Sequence, residues 1–168
     1  IAKKFLPLII DKFKKAKVEI RGDDKTRKIA KGIKKATEKD WATEYNDLKL
    51  SVKIVDNLNE AINHINKYGS KHTDAIVTEN KKNADIFMDL VDSASVMWNA
   101  STRFADGFRY GKGAEVGIST AKIHSRGPVG LEGLVIYKYK LVGKGQVVKD
   151  YIGGNAKKFK HRVIKKII

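Results

Sequence analysis

Apolar residues recur along this chain with two periods, one of three to four residues and one of two. Near the start Phe5, Leu6, Ile9 and Phe13 fall on one helical face, with lysines on the others. Pro7 fits such a helix only in its first turn or at a kink, because it has no N–H and its ring crowds the preceding turn. Val18 and Ile20 then alternate with charged residues, which predicts a short strand stopped by Gly22 and Asp23. Residues 24–35 are lysine-rich and read as a weak helix or an irregular segment. Leu48, Leu50, Val52 and Ile54 alternate with polar residues, as in a half-buried strand. Asn57 or Asn59 can cap the next helix, whose stripe is Leu58, Ala61, Ile62 and Ile65 and whose end is Tyr68-Gly69. A strand over 73–78, a helix over 84–91 with Ile86, Phe87, Leu90 and Val91 inward, and a strand over 95–98 follow.

Strand, helix, strand, helix, strand at this spacing predicts an α/β fold with parallel βαβ units. In such sheets functional groups sit beyond the carboxyl ends of the strands. The loop that opens at Asn99 leaves such an end. After Thr120 the pattern changes: Gly127-Pro128 and Gly130 punctuate a turn-rich stretch. Residues 135–142, from Val135 to Val142, then alternate aliphatic and aromatic residues with lysines. They read as an edge strand or a ribbon that pairs with a partner. No internal repeat is apparent. The expected organisation is a main part over 1–131, the strand region over 132–150 and a basic tail over 151–168.

Length and composition suit one domain with a proper core, since 168 residues carry 42% hydrophobic side chains. No apolar run approaches the roughly 20 residues of a membrane helix. There is no cysteine, so disulfides, thiolate metal sites and thiol chemistry by these residues are excluded. A cytoplasmic protein fits that composition. The formal charge of +16 raises nucleic acid, an anionic membrane or an acidic partner. Lysine far outnumbers arginine, which favours solvated faces over specific recognition, so no specific nucleic acid is expected. The densest basic stretch is 157–166, with Val163 and Ile164 interleaved.

The chemistry-bearing candidates cluster after the strand over 95–98. Ser101 and Thr102 stand beside Arg103 and Phe104, and an arginine fork can hold a carboxylate or phosphate through two hydrogen bonds. Gly111-Lys112-Gly113 with Gly117 matches neither the dinucleotide fingerprint nor the P-loop. His64, His72, His124 and His161 show no metal-ligand spacing, and His124 reads as an acid/base group or, more readily, as a residue that orients a neighbouring loop. Ser101 lacks the strand–elbow–helix setting of a hydrolase nucleophile.

Several segments also resemble the γ-glutamyl phosphate reductase (glutamate-5-semialdehyde dehydrogenase) family of the aldehyde dehydrogenase superfamily. The most specific are Asn99-Ala100-Ser101-Thr102-Arg103-Phe104 and Arg126-Gly127-Pro128-Val129-Gly130-Leu131, with Gly113-Ala114-Glu115-Val116-Gly117-Ile118-Ser119-Thr120 between them. The resemblance runs from about Phe5 to Asp150. It implies an aldehyde dehydrogenase-type catalytic domain, present in its carboxyl-terminal part, followed by an oligomerisation strand. It also implies NADPH-dependent reduction of L-glutamyl 5-phosphate to glutamate 5-semialdehyde in proline biosynthesis, through a thioester on a cysteine. Glu44 matches the glutamate that holds the nicotinamide ribose. Asn99, Ser101, Thr102, Arg103 and Phe104 match the loop that shapes the substrate pocket. Residues 135–142 match the strand that pairs with a neighbouring subunit of a homo-oligomer, and a γ-glutamyl kinase is the upstream partner implied. The cysteine-bearing segment and the amino-terminal cofactor domain are absent from these residues, so the chain by itself is expected to be inactive. The alternative is a basic nucleic-acid- or membrane-binding module, or an assembly piece, derived from a dehydrogenase.

Overall fold

The computed structural model describes residues 1–162. Part of the basic stretch over 157–166 therefore lies outside the described residues. The chain divides into two compact units, Ile1–Val135 and Ile136–Ile168.

The first unit opens with α1 (Ala2–Lys15), whose lysines in the last turn complement the negative end of the helix. Pro7 sits in its second turn and removes the amide that would bond to the carbonyl of Lys3. The buried residues of α1 are Leu6 and Ile10, whereas Phe5 is exposed. The helix is thus rotated slightly from the expected face, because Leu6, Ile10 and the half-buried Phe13 meet Ile20 and Ala30 in one core. The strand β1 (Glu19–Gly22) pairs in parallel with β2 (Lys34–Lys35) on one side and β3 (Lys49–Val52) on the other. Between β1 and β2 the lysine-rich segment forms α2 (Asp24–Ile29), capped by Asp23, whose carboxylate accepts from the amides of Thr26 (2.9 Å) and Ile54 (3.4 Å). The short α3 (Glu38–Trp41) precedes β3.

The strand β4 (Thr73–Ile76) pairs in parallel with β5 (Ser95–Trp98), joined by α5 (Lys81–Leu90). This is the predicted βαβ unit. The preceding strand does not extend it: β3 pairs with β1, and α4 (Leu58–Tyr68) carries the chain from one sheet to the other. Val52 and Ile54 pack on the Leu6–Ile10 core, while Ile62, Phe87 and Val91 form a second core with Ile76 and Val96. Asn57 caps α4 by accepting from the amide of Glu60 at 2.9 Å. In α5 the inward residues are Ala84 and Phe87, and Leu90 is exposed rather than buried. No helix among the described residues is long and apolar enough to cross a membrane.

An antiparallel pair, β6 (Gly117–Ser119) and β7 (Gly127–Val129), completes the first unit. Residues 136–142 form no ladder in the single chain. Their Ile136, Tyr137, Tyr139, Leu141 and Val142 are exposed. A strand needs a neighbour to bond its backbone groups, and the described residues supply none. Further on, Tyr151 stacks on Phe159 with ring centroids 5.0 Å apart.

Candidate substrate and cofactor site

The loops leaving β4 and β5 lie side by side because the two strands are parallel and in register, Ile76 opposite Trp98. Asn99 latches them together. Its side chain donates to the carbonyl of Thr78 and accepts from the amide of Thr78, both at 2.9 Å. Its own amide donates to the carbonyl of Ile76 at 2.9 Å. The Trp98 indole adds a fourth bond to this junction, donating to the Thr78 carbonyl at 2.8 Å. Asn99 holds φ +51°, a left-handed conformation that asparagine adopts more readily than most residues.

Beyond Asn99 the chain makes one tight turn, Thr102–Phe104, started by Ser101, whose hydroxyl accepts from the amide of Arg103 at 3.3 Å. The backbone of Arg103 is fixed from the other side, since Arg109 donates to its carbonyl at 2.9 Å. Asp106 in turn accepts from the amides of Phe108 (2.9 Å) and Arg109 (3.0 Å). Ser101, Thr102, Arg103 and Phe104 are all exposed. The Arg103 guanidinium faces no carboxylate among the described residues. An anchored backbone carrying a free guanidinium fork is an anion-binding arrangement.

The loop returns along a path that two glycines permit. A Cβ on Gly107 would stand 2.1 Å from the carbonyl oxygen of Ala114, and one on Gly130 would stand 2.6 Å from that of Lys112. Tyr110 ties the loop to β5 by a hydrogen bond between its hydroxyl and that of Ser95, 2.8 Å long. Gly111 and Gly113 instead face open space, so the glycine cluster weighed as a phosphate loop is a surface turn. The β6–β7 segment is clamped by Arg126, which donates to the backbone carbonyl of Asp92 at 3.1 Å and to its carboxylate at 3.0 Å. Lys122 joins at 2.7 Å, and its hydrogen bond, with that of Arg126, pulls the Asp92 carboxyl down to about 2. His124 donates to the carbonyl of Gly133 at 3.0 Å, which gives it the loop-orienting role expected of it.

Glu44 lies elsewhere in the first unit. It is exposed, on an open cleft of about 640 Å³ shared with Trp41, Tyr68, His72 and Thr120. None of the residues 99–104 lines that cleft. The Glu44 carboxylate makes no hydrogen bond or ion pair among the described residues. Its neighbours are firmly held by a carboxylate that sequence reasoning missed. Asp40 is 4% exposed and accepts from the amide and the hydroxyl of Thr37 (both 2.7 Å), the hydroxyl of Tyr45 (2.7 Å) and the guanidinium of Arg21 (2.6 Å). The hydrogen bonds from Thr37, then that from Tyr45, hold its carboxyl well below the usual carboxylate range. The spacing from Thr37 to Asp40 is that of a capping box, the one signal in the sequence that could have found it.

No protein-family model matches the chain. Curated proteins do. It is 62% identical over 167 residues to a γ-glutamyl phosphate reductase of Methanosarcina acetivorans, covering 96% of this chain and 37% of that protein. It is 59% identical to that of Trichodesmium erythraeum over 162 residues, with 96% and 38% covered. Among solved structures, the γ-glutamyl phosphate reductase of Thermotoga maritima superposes with a TM-score of 0.84 at 51% identity, over 88% of this chain and 36% of that one. The chain thus spans just over a third of the length of the relatives it matches. Its α/β architecture with parallel strand pairs is that of the aldehyde dehydrogenase-type fold of these enzymes. With identities this high over nearly all of its residues, the chain belongs to the γ-glutamyl phosphate reductase family.

Proposed function

We propose that these residues form the substrate-loop part of an NADP-linked reductase that converts L-glutamyl 5-phosphate to glutamate 5-semialdehyde, with release of phosphate, in the cytoplasm. The observation that carries this reading is the free guanidinium of Arg103 on a backbone-anchored loop beyond the carboxyl end of β5. Arg103 forks onto the α-carboxylate or the phosphate of the substrate, and the Thr102 hydroxyl adds a neutral contact. Asn99 keeps the loop in place through its bonds to Thr78. Phe104, exposed beside them, offers an apolar wall for the substrate's methylenes.

Glu44 fits a cofactor ribose: its carboxylate is an unused acceptor on an open cleft with the aromatic side chains of Trp41 and Tyr68. When bound there, a nicotinamide nucleotide supplies the hydride. The nucleophile that displaces phosphate belongs to residues outside these 168, because they include no cysteine. The chain alone therefore does not turn over. Residues 135–142 pair with a neighbouring subunit by strand addition, which would satisfy their free backbone groups. A γ-glutamyl kinase supplies the acyl phosphate.

The test is phosphate-dependent reduction of NADP+ by glutamate 5-semialdehyde, followed at 340 nm, with the full-length protein that carries these residues. Turnover that requires phosphate supports the reading. Turnover without phosphate, or none, overturns it.

A further inference from the structure

We propose that Asp40 is a positioning residue for the cofactor contact: its buried carboxylate holds Tyr45 and the helix before Glu44 in one arrangement, so that Glu44 is presented to the cleft. The inference rests on the reading of Glu44 as the ribose-holding residue. Four donors converge on Asp40, all at 2.6–2.7 Å, from Thr37 (two), Tyr45 and Arg21. Of the residues flanking Glu44, Tyr45 is tied to this carboxylate directly, and Thr43 to the backbone of α3, whose first turn Asp40 caps. On the amino-terminal side, the Thr43 hydroxyl donates to the carbonyl of Lys39 at 2.7 Å, and the Thr43 amide to that of Asp40 at 3.4 Å. On the carboxyl-terminal side, the Tyr45 hydroxyl lies 2.7 Å from both Asp40 and Ser51, which belongs to β3. Arg21 closes the arrangement from β1, with its guanidinium 5.4 Å from the centre of the Tyr45 ring.

This links the cleft to the sheet. Two separated segments, β1 and the stretch over 37–45, meet on one buried charge, and β3 joins through Ser51 on the Tyr45 hydroxyl; a hydrogen bond to a buried charge is worth more than one at the surface. Glu44 is exposed and makes no bond among the described residues, so nothing of its own holds it. A carboxylate that must accept from two adjacent ribose hydroxyls needs a fixed backbone, because contacts at that spacing tolerate little misplacement. Asp40 supplies that fixity without touching the ligand.

The experiment combines two readouts on Asp40→Asn, Tyr45→Phe, Glu44→Gln and the double variant Asp40→Asn/Glu44→Gln. Amide hydrogen exchange of the full-length protein reads the anchoring. NADPH affinity of the full-length protein, from nucleotide fluorescence, reads its consequence. The expected result is faster exchange over 41–46 in Asp40→Asn, with β4 and β5 still protected. A roughly tenfold weaker NADPH affinity accompanies it, and no further loss occurs in the double variant. Tyr45→Phe, which removes one of the four donors to Asp40 together with the Ser51 contact and leaves the charge in place, guards against wholesale unfolding of Asp40→Asn and should move both readouts in the same direction by less. Unchanged exchange over 41–46 overturns the anchoring. Faster local exchange with unchanged NADPH affinity in Asp40→Asn, while Glu44→Gln weakens it, overturns the positioning role and leaves the Glu44 reading standing. Unchanged affinity in both single variants overturns the Glu44 reading itself. Additive losses in the double variant also overturn the proposal.

Discussion

The stretch Thr37 to Tyr45 is organised around one buried charge, whereas the stretch Ser101 to Arg109 is organised by its own backbone. In the first, Asp40 draws donors from residues 19 positions earlier and five positions later. In the second, the Ser101 and Asp106 side chains accept from amides two or three residues away, and the longest-reaching hydrogen bond among the described residues of the stretch, from Arg109 to the carbonyl of Arg103, spans six. Both present an exposed, unpaired charged side chain outward, Glu44 in one case and Arg103 in the other. The difference teaches where each is vulnerable. A locally capped loop keeps its shape when its presented side chain is cut away. A stretch hung on one carboxylate changes shape when that single charge is lost.

The sharpest way to test the first half of this contrast is Arg103→Ala in the full-length protein. A bidentate, charge-assisted contact is at stake, so kcat/KM for L-glutamyl 5-phosphate should fall roughly 100-fold. The melting temperature should stay put, because the side chain has no partner among the described residues to lose. Unchanged kinetics would remove Arg103 from the pocket. Next in size is Gly107→Ala, which forces a methyl against the carbonyl of Ala114. Overpacking of this kind costs about 2 kcal/mol, read as a lower urea midpoint at unchanged slope. An unaffected midpoint would show that the loop is not closed on Ala114.

Acid probes the buried charge of the first stretch and, with it, the Asp92 carboxylate that clamps the β6–β7 segment. Asp40 and Asp92 both have folded pKa values below their unfolded value of about 3.9. Their contribution to stability is complete above that value and drains away as pH falls toward about 2, where Asp92 takes up its proton. Urea midpoints of the chain should therefore drop between pH 4 and pH 2, and Asp92→Asn should flatten part of that drop. A wild-type midpoint that stays level over this range would contradict the assigned hydrogen bonds. The smallest effect expected is for Asn57→Ala, which removes the cap of α4 and should cost about 1 kcal/mol in urea unfolding. It touches neither stretch, so its NADPH affinity should match the wild type.

Much of this was legible because it is local. Periodicity located β4, α5 and β5 and the loop opening at Asn99, and capping chemistry narrowed the start of α4 to Asn57 or Asn59; each depends on residues within a few positions. The pairing of β3 with β1 was not legible, since alternation marks a strand without saying which neighbour it takes. The helix phase slipped at Phe5 and Leu90, where the choice between adjacent apolar residues rests on what lies across the core. Asp40 was hidden for the same reason, because a carboxylate in a lysine-rich run looks solvated until Arg21 and Tyr45 are placed beside it. Residues 135–142 read as a strand and carry the composition of one, but no described residue bonds to their backbone as a strand neighbour would.

The account stands or falls on these residues acting within a longer reductase. The direct measurement is the intact mass of the native gene product from its own cells, together with phosphate-dependent reduction of NADP+ by the same purified protein. A mass more than twice 18.8 kDa with that activity is the predicted result. A native product of 18.8 kDa would contradict it, because a chain of these residues alone has no thiol with which to displace phosphate.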